Sequence, residues 1–228
     1  MYFDSTMIFL IPGLILGLWA QNKVRSAYQK YSGVLTGRGV PACTEVRELL
    51  SAQNAGYVNV TKVQGQLTDH FDPQSDTLRL SEGVYDSASV AALGIPAHEA
   101  GHALQKQENY VFLSLRTLLV PTVNIGSKLS WPIFLAGLVF SWEPLMTAGI
   151  ILFLLAVGFS LITLPVEFDA SRRALRMLEG SGRYTQDELT GAKKVLSAAA
   201  MTYVASFISV LMQLVRLLVL AGNNRRRN

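Results

Sequence analysis

Apolar and polar positions alternate along this chain in long blocks, and the blocks divide it into five parts. Residues 5 to 22 carry no charge and run almost continuously apolar from Met7 to Ala20. No basic residue precedes them, and Lys23, Arg25 and Lys30 follow. A cleaved signal peptide has the opposite charge order and a small-residue cleavage site. Residues 1–22 therefore read as an uncleaved transmembrane anchor with its N-terminus outside, and with Tyr2 and Trp19 at the interfaces. Pro144 to Val166 gives 23 uncharged residues, enough to span a bilayer with some tilt. Leu129 to Trp142 is also uncharged but reaches only about 21 Å at 1.5 Å per residue. Begun near Asn124, with Lys128 snorkelling, it gains the missing length. Ser141-Trp142-Glu143-Pro144 is then the outer turn of a helical hairpin within 111–166. Val111 to Val120, interrupted by Arg116 and followed by Pro121, reads as an interfacial approach helix.

The last apolar block, 195–228, is uncharged to residue 215 and ends in Arg225-Arg226-Arg227. Thr202, Ser206, Ser209, Gln213 and Arg216 recur at spacings of four and three, one polar stripe on an apolar helix. Lipid disfavours that stripe, so it should face other helices or a wet cleft. With the anchor's N-terminus outside, four crossings would leave the terminal arginines outside as well, against the positive-inside tendency. The segment is therefore expected either to fold back or to lie in the interface.

The remaining parts are polar. Residues 23–110 read as a water-facing domain. Glycines at 33, 37 and 39 with Pro41 mark a loop, and Thr44 is the expected N-cap of a helix ending near Asn54. Tyr57 to Val63 alternates as a strand. Gln66 to Phe71 and Thr77 to Leu80, joined by Asp72-Pro73-Gln74-Ser75-Asp76, form a predicted β-hairpin. A helix begins around Ser87 to Ser89, or anew after Gly94-Ile95-Pro96, and continues towards Gln107. Residues 167–194 read as polar helices broken at Gly180-Ser181-Gly182. The predicted fold class is a mainly α integral membrane protein. Its transmembrane helices carry a small α+β catalytic domain with a β-hairpin before its central helix.

Composition agrees with lipid contact. Of 228 residues, 50% are hydrophobic and 16% charged, and the mean hydropathy is +0.30. The net charge of +4 could indicate nucleic acid, but the basic residues cluster beside apolar segments, which fits membrane topology better. Lipid bilayer is the expected partner and nucleic acid is not. Five basic residues follow the first helix by Arg47, which favours a cytoplasmic side for the domain after it. Cys43 is the single cysteine, so neither an internal disulfide nor a cysteine-rich zinc site can form.

Chemistry concentrates in His98-Glu99-Ala100-Gly101-His102, which holds two of the three histidines. On a helix, positions i and i+4 lie on one face, and two imidazoles so placed can take two tetrahedral positions of one Zn²⁺. Glu99 points about a quarter turn away, poorly placed as a ligand of that ion and well placed to take a proton from its water. This is the H-E-x-x-H pattern. A catalytic zinc site ordinarily has three protein ligands. The third is His70 or a carboxylate downstream. Glu167 suits the geometry, because a two-helix hairpin over 124–166 returns it to the side of His98. The number of crossings between residues 102 and 167 must then be even, and the zinc lies at the membrane surface. Asp169, about 200° further round a helix, cannot ligate equally well alongside it.

The stretches LTDHFDP, LRLSEGVYDSASVAALGIPAHEAGHALQ and LPVEFDASRRAL resemble a family of bacterial membrane proteins described as "putative neutral zinc metallopeptidases". The likeness is clearest from about Thr68 to Leu175. More distantly, the layout is similar to that of membrane gluzincins, which carry HExxH on one helix and a glutamate ligand on a later one. The resemblance implies His98, His102 and Glu167 as ligands of one zinc per chain and Glu99 as general base. Gluzincins commonly have an aspartate four residues after the ligand glutamate. Here that position is Ser171, and the nearby acid is Asp169.

The expected function is a multi-pass, membrane-embedded zinc endopeptidase acting on membrane or membrane-proximal proteins. The alternative is a zinc-containing membrane scaffold without turnover. Retention of Glu99 beside both histidines favours the enzyme, since a structural site does not need that base. His70, Tyr85, Tyr110, Tyr184 and Tyr203 are candidate donors to a tetrahedral oxyanion. Thr77 to Leu80 is a candidate edge strand for pairing a peptide substrate.

Overall fold

The computed structural model describes residues 5–225, and its contacts gather into two units. Tyr2 and the arginines at 226 and 227 lie outside the described residues. The fold is mainly helical with one small sheet.

One unit holds residues 21–114 and 165–201. It takes in the later part of α1 (Ile11–Ser32) and all of α2 (Ala42–Ala52). In α2, Val46, Leu49 and Leu50 recur at helical spacing, and all three are buried. Its cap differs from expectation. Pro41 is the N-cap, with φ −58°, and its carbonyl accepts from the amides of Thr44 and Glu45 at 2.9 and 3.0 Å. Thr44 sits inside the first turn, because proline's fixed φ already sets the chain's entry.

The sheet consists of β1 (Asn59–Val63), β2 (His70–Asp72) and β3 (Thr77–Ser81), in the order β1-β3-β2. The hairpin forms, with Phe71 opposite Leu78. However, β1 pairs parallel to the other side of β3, Val60 opposite Leu78. Thr77 to Leu80 is therefore the centre of the sheet, with both backbone edges occupied, and the expectation of a substrate-pairing edge there is wrong. The outer strands of the sheet are β1 and β2.

A short α3 (Glu82–Tyr85) leads to α4 (Val90–Gln107). Ser89 caps α4, its Oγ accepting from the Ala92 amide at 3.2 Å. The helix does not restart at Pro96 but runs through it. Proline removes one helical hydrogen bond, while Leu93, Ala97, Ala100 and Leu104 bury a continuous apolar face on either side of it. Against this core lie Ala174, Met177 and Leu178 of α6 (Glu143–Gly180), and Ala192 and Leu196 of α7 (Gln186–Arg225). Gly182, at φ +64°, turns the chain between α6 and α7. Thr185 then opens α7 as a reciprocal cap. Its amide donates to Glu188 Oε2 at 2.6 Å, and the Glu188 amide donates to Thr185 Oγ1 at 3.3 Å.

The other unit holds the chain to Ala20, residues 115–164, and the chain from Thr202. Its core is Phe134, Met146, Phe153, Leu214, Leu217 and Ala221. The stretch expected as an approach helix ending at Pro121 belongs instead to a single helix, α5 (Val111–Val139), with Pro121 and Pro132 inside it. Apolar packing on both sides of a proline holds such a helix together despite the lost hydrogen bond. Among the described residues, three helical segments are long and apolar enough to cross a membrane: Ser5–Ser32, Glu143–Gly180 and Gln186–Asn224. The α5 helix is not among them.

Two residues of the polar stripe of α7, Ser209 and Arg216, face other helices, whereas Ser206 is exposed and its Oγ donates to the Thr202 carbonyl of its own helix at 2.8 Å. A β-carbon on Gly13 would meet Ser209 Oγ at 2.7 Å, so α1 and α7 touch at that pair. Arg216 Nε donates to Thr6 Oγ1 at 3.2 Å, and its guanidinium stands 5.6 Å over the Trp131 ring.

Candidate metal centre

The middle of α4 brings His98 and His102 onto one face, their ring centroids 4.8 Å apart and their planes at 82°. Glu167 of α6 meets them from opposite. Its Oε2 lies 3.2 Å from His98 Nε2 and 3.5 Å from His102 Nε2. Ligand atoms of the three residues all fall within 4.8 Å of one another. The Glu167 side chain is 2% exposed, so its charge is almost removed from water. Two imidazole nitrogens and one carboxylate oxygen converging on one point match the donor set of a catalytic zinc.

This convergence needs α4 and α6 to approach closely, and Gly101 permits it. A β-carbon there would lie 2.5 Å from the Ala170 carbonyl oxygen and 3.1 Å from both its carbonyl carbon and its Cα. Any larger residue at the fourth position of the pentapeptide would push α6, and Glu167 with it, away from the histidines.

The far nitrogens of both rings are also held. His98 Nδ1 lies 3.1 Å from Ser171 Oγ. Ser171 thus stands against a candidate ligand from the position where gluzincins commonly have an aspartate. His102 Nδ1 lies 3.0 Å from Gln105 Oε1. The Gln105 amide donates through Nε2 to the Val166 carbonyl at 2.8 Å and to Asp169 Oδ2 at 3.0 Å. Two acceptors on that side fix the amide's orientation, and hence Oε1 as the acceptor facing His102. The proton of neutral His102 then belongs on Nδ1, which leaves the Nε2 lone pair towards Glu167. Asp169 also accepts from Arg173 Nε at 2.6 Å, and Arg173 Nη1 pairs with Glu108 at 2.7 Å. Asp169 therefore orients Gln105 and stays outside the group of three.

Glu99 points from the same helix towards the sheet. Its Oε2 accepts from the Phe71 amide of β2 at 2.9 Å. Burial pushes the Glu99 carboxyl above the usual glutamate range; His98 and His102 oppose that, Glu167 adds to it, and the Phe71 amide opposes it. For His102, burial works against the charged form. The Glu167 hydrogen bond and the charges of Glu99 and Glu167 outweigh it, and the ring is raised above its ordinary value.

His70 does not join the group. Its Nδ1 donates to the Thr68 carbonyl at 2.8 Å, and Arg79 Nη1 stands 3.3 Å from its Nε2. Among the expected oxyanion donors, the Tyr85 hydroxyl accepts from Arg47 at 3.3 Å and the Tyr184 hydroxyl donates to Glu45 at 2.7 Å. Tyr110 lies under Arg173, 5.8 Å from its guanidinium. Tyr203 belongs to the other unit. Gln105 and Gly101 were the residues that sequence reasoning missed. Gln105 lies three positions after His102, on the same helical face, which was the available signal.

The chain is 44% identical over 222 residues to a Bacillus subtilis (strain 168) protein named "Putative membrane protease YugP", covering 97% of this chain and 99% of that protein. No solved structure matches it significantly. The family model described as "Putative neutral zinc metallopeptidase" matches residues 6–222, and the chain belongs to that family.

Proposed function

We propose that this protein is a membrane-embedded zinc endopeptidase in which His98, His102 and Glu167 hold one Zn²⁺ and Glu99 is the general base. The carrying observation is the convergence of two His98-face imidazoles and the buried Glu167 carboxylate, with Glu99 one residue from the first of them. When bound, zinc would polarise the scissile carbonyl and lower the pKa of a water at the site.

The remaining roles fall to the chain itself. Glu99 takes a proton from the attacking water. The water oxygen forms the new bond to the carbonyl carbon, the carbon–nitrogen bond breaks, and Glu99 returns the proton to the leaving amine. The Phe71 amide holds one oxygen of Glu99, which fixes the carboxylate and leaves its other oxygen for this transfer. Membrane-length helices in this chain and the name of its relative support substrates in or near the bilayer.

The test is Glu99→Gln in the purified full-length protein. It is expected to keep one zinc per chain and to lose cleavage of an unfolded protein by about 10²–10⁴-fold. Equal cleavage by the variant refutes the base. Wild-type protein that holds zinc and cleaves no protein favours a silent scaffold.

A further inference from the structure

Four of the chain's seven lysines line one groove. On α1 the lining residues are Lys23, Ser26, Ala27, Lys30 and Tyr31, at spacings of a single helical face. On α7, Lys193, Lys194, Ser197, Ala198 and Met201 repeat that pattern. Gly191 lets the two helices close behind them, since a β-carbon there would meet the Tyr31 ring at 2.8 Å. The groove encloses about 720 Å³, and no carboxylate lines it.

Apart from the ammonium groups, the walls are mostly apolar: Ala27, Ala198, Met201, the Tyr31 ring and the lysine stems. An anion with a hydrocarbon body fits that lining, whereas a small hydrated anion would leave the apolar wall uncovered. Position along the chain points the same way. Lys23 comes three residues after the apolar run that ends at Ala20, and Lys193 and Lys194 directly precede the uncharged run of 195–215. Lysines just outside membrane-length apolar segments are placed to meet anionic headgroups.

We propose that the groove between residues 23–31 of α1 and 190–201 of α7 binds an anionic phospholipid. Lys23, Lys30, Lys193 and Lys194 take its phosphate, and Ala27, Ala198 and Met201 take the start of an acyl chain. Lysine suits this role because its ammonium is a point charge on a flexible stem and can follow a phosphate in several poses. The site is separate from His98, His102 and Glu167 and does not depend on zinc.

The test uses full-length protein in detergent, with bound lipid read by native mass spectrometry. Phosphatidylglycerol and phosphatidylcholine of identical acyl chains are the probes. Wild-type protein is expected to retain phosphatidylglycerol at least about tenfold more tightly. Lys193→Gln/Lys194→Gln should abolish most of that preference while keeping helicity and thermal stability. Ser197→Trp fills the apolar wall with all four lysines intact, and should weaken phosphatidylglycerol by a similar factor. If the double lysine variant does not fold, the tryptophan variant decides alone. Equal retention of the two lipids overturns the proposal, as does an undiminished preference in the folded variants. Full displacement of the lipid by millimolar inorganic phosphate, with Ser197→Trp indifferent, would make this a phosphate site and overturn it too. Displacement by an acidic peptide at lower concentration than by phosphatidylglycerol would reassign the groove to a protein partner.

Discussion

Gln105 shows no exposed surface, and its Oε1 stands 3.0 Å from Nδ1 of His102. A neutral amide thus orients one of the two imidazoles where a carboxylate often does so in zinc sites. The amide is itself aimed by the Val166 carbonyl and by Asp169. Replacing it by leucine removes the partner of the His102 proton and the Nε2 donor to Val166 and Asp169, of which Asp169 keeps Arg173. Zinc affinity of Gln105→Leu is expected to fall about 10–100-fold, as measured by competition with a chromophoric chelator. An affinity equal to that of wild type would show that His102 needs no such partner.

His98 is held more loosely. Its partner is the Ser171 hydroxyl, which is half-buried where Gln105 is fully buried, so water can replace a lost oxygen. Ser171→Ala is therefore expected to weaken zinc by less than Gln105→Leu, by about threefold to tenfold. The same chelator competition compares the two variants directly, and the reverse order would contradict this account.

The third ligand can be assigned by removing each candidate in turn. Glu167→Ala should lose zinc in elemental analysis, because no other carboxylate joins the group with His98 and His102 among the described residues. Asp169→Ala should retain zinc stoichiometry at saturating metal, since its effect passes through Gln105. His70→Ala should retain both stoichiometry and affinity, its ring being engaged by Thr68 and Arg79. Zinc loss in His70→Ala with zinc kept in Glu167→Ala would reverse the assignment.

The parts of this fold that depend on local pattern were legible in the sequence. The pairing of His98 with His102 follows from helical spacing alone, and Glu99 from its offset. The hairpin of β2 and β3 follows from the turn residues at 72–76. What could not be read was non-local. Placing β3 at the centre requires β1 to pair parallel across it, and no residue in Asn59–Val63 specifies that partner. Pro96, Pro121, Pro132 and Pro165 all sit inside helices. Local propensity treats each as a break, whereas the buried apolar face flanking a proline decides whether the helix continues. Gln105 carried no motif. Its role exists only because α6 delivers Val166 and Asp169 to it.

Gly101 offers the most direct test of how the two helices make the site. A β-carbon at that position would meet backbone atoms of Ala170 at 2.5 and 3.1 Å, and backbone cannot swing aside as a side chain can. The α6 helix must shift. Glu167 lies three residues, just under one turn, before Ala170, so the shift carries it away from both Nε2 atoms. Overpacking of this kind costs about 1–3 kcal/mol. For a chain of this size that corresponds to a loss of about 2–4 °C in Tm per kcal/mol. Gly158 of the same helix is the control, since a β-carbon there meets nothing within 4 Å. Gly158→Ala is expected to be neutral or stabilising by up to about 1 kcal/mol, as alanine is favoured over glycine within helices. Gly101→Ala should lower Tm and weaken zinc at least tenfold, while Gly158→Ala changes neither adversely. A Gly101→Ala protein with wild-type zinc affinity would mean that the approach of α4 to α6 does not set the ligand geometry.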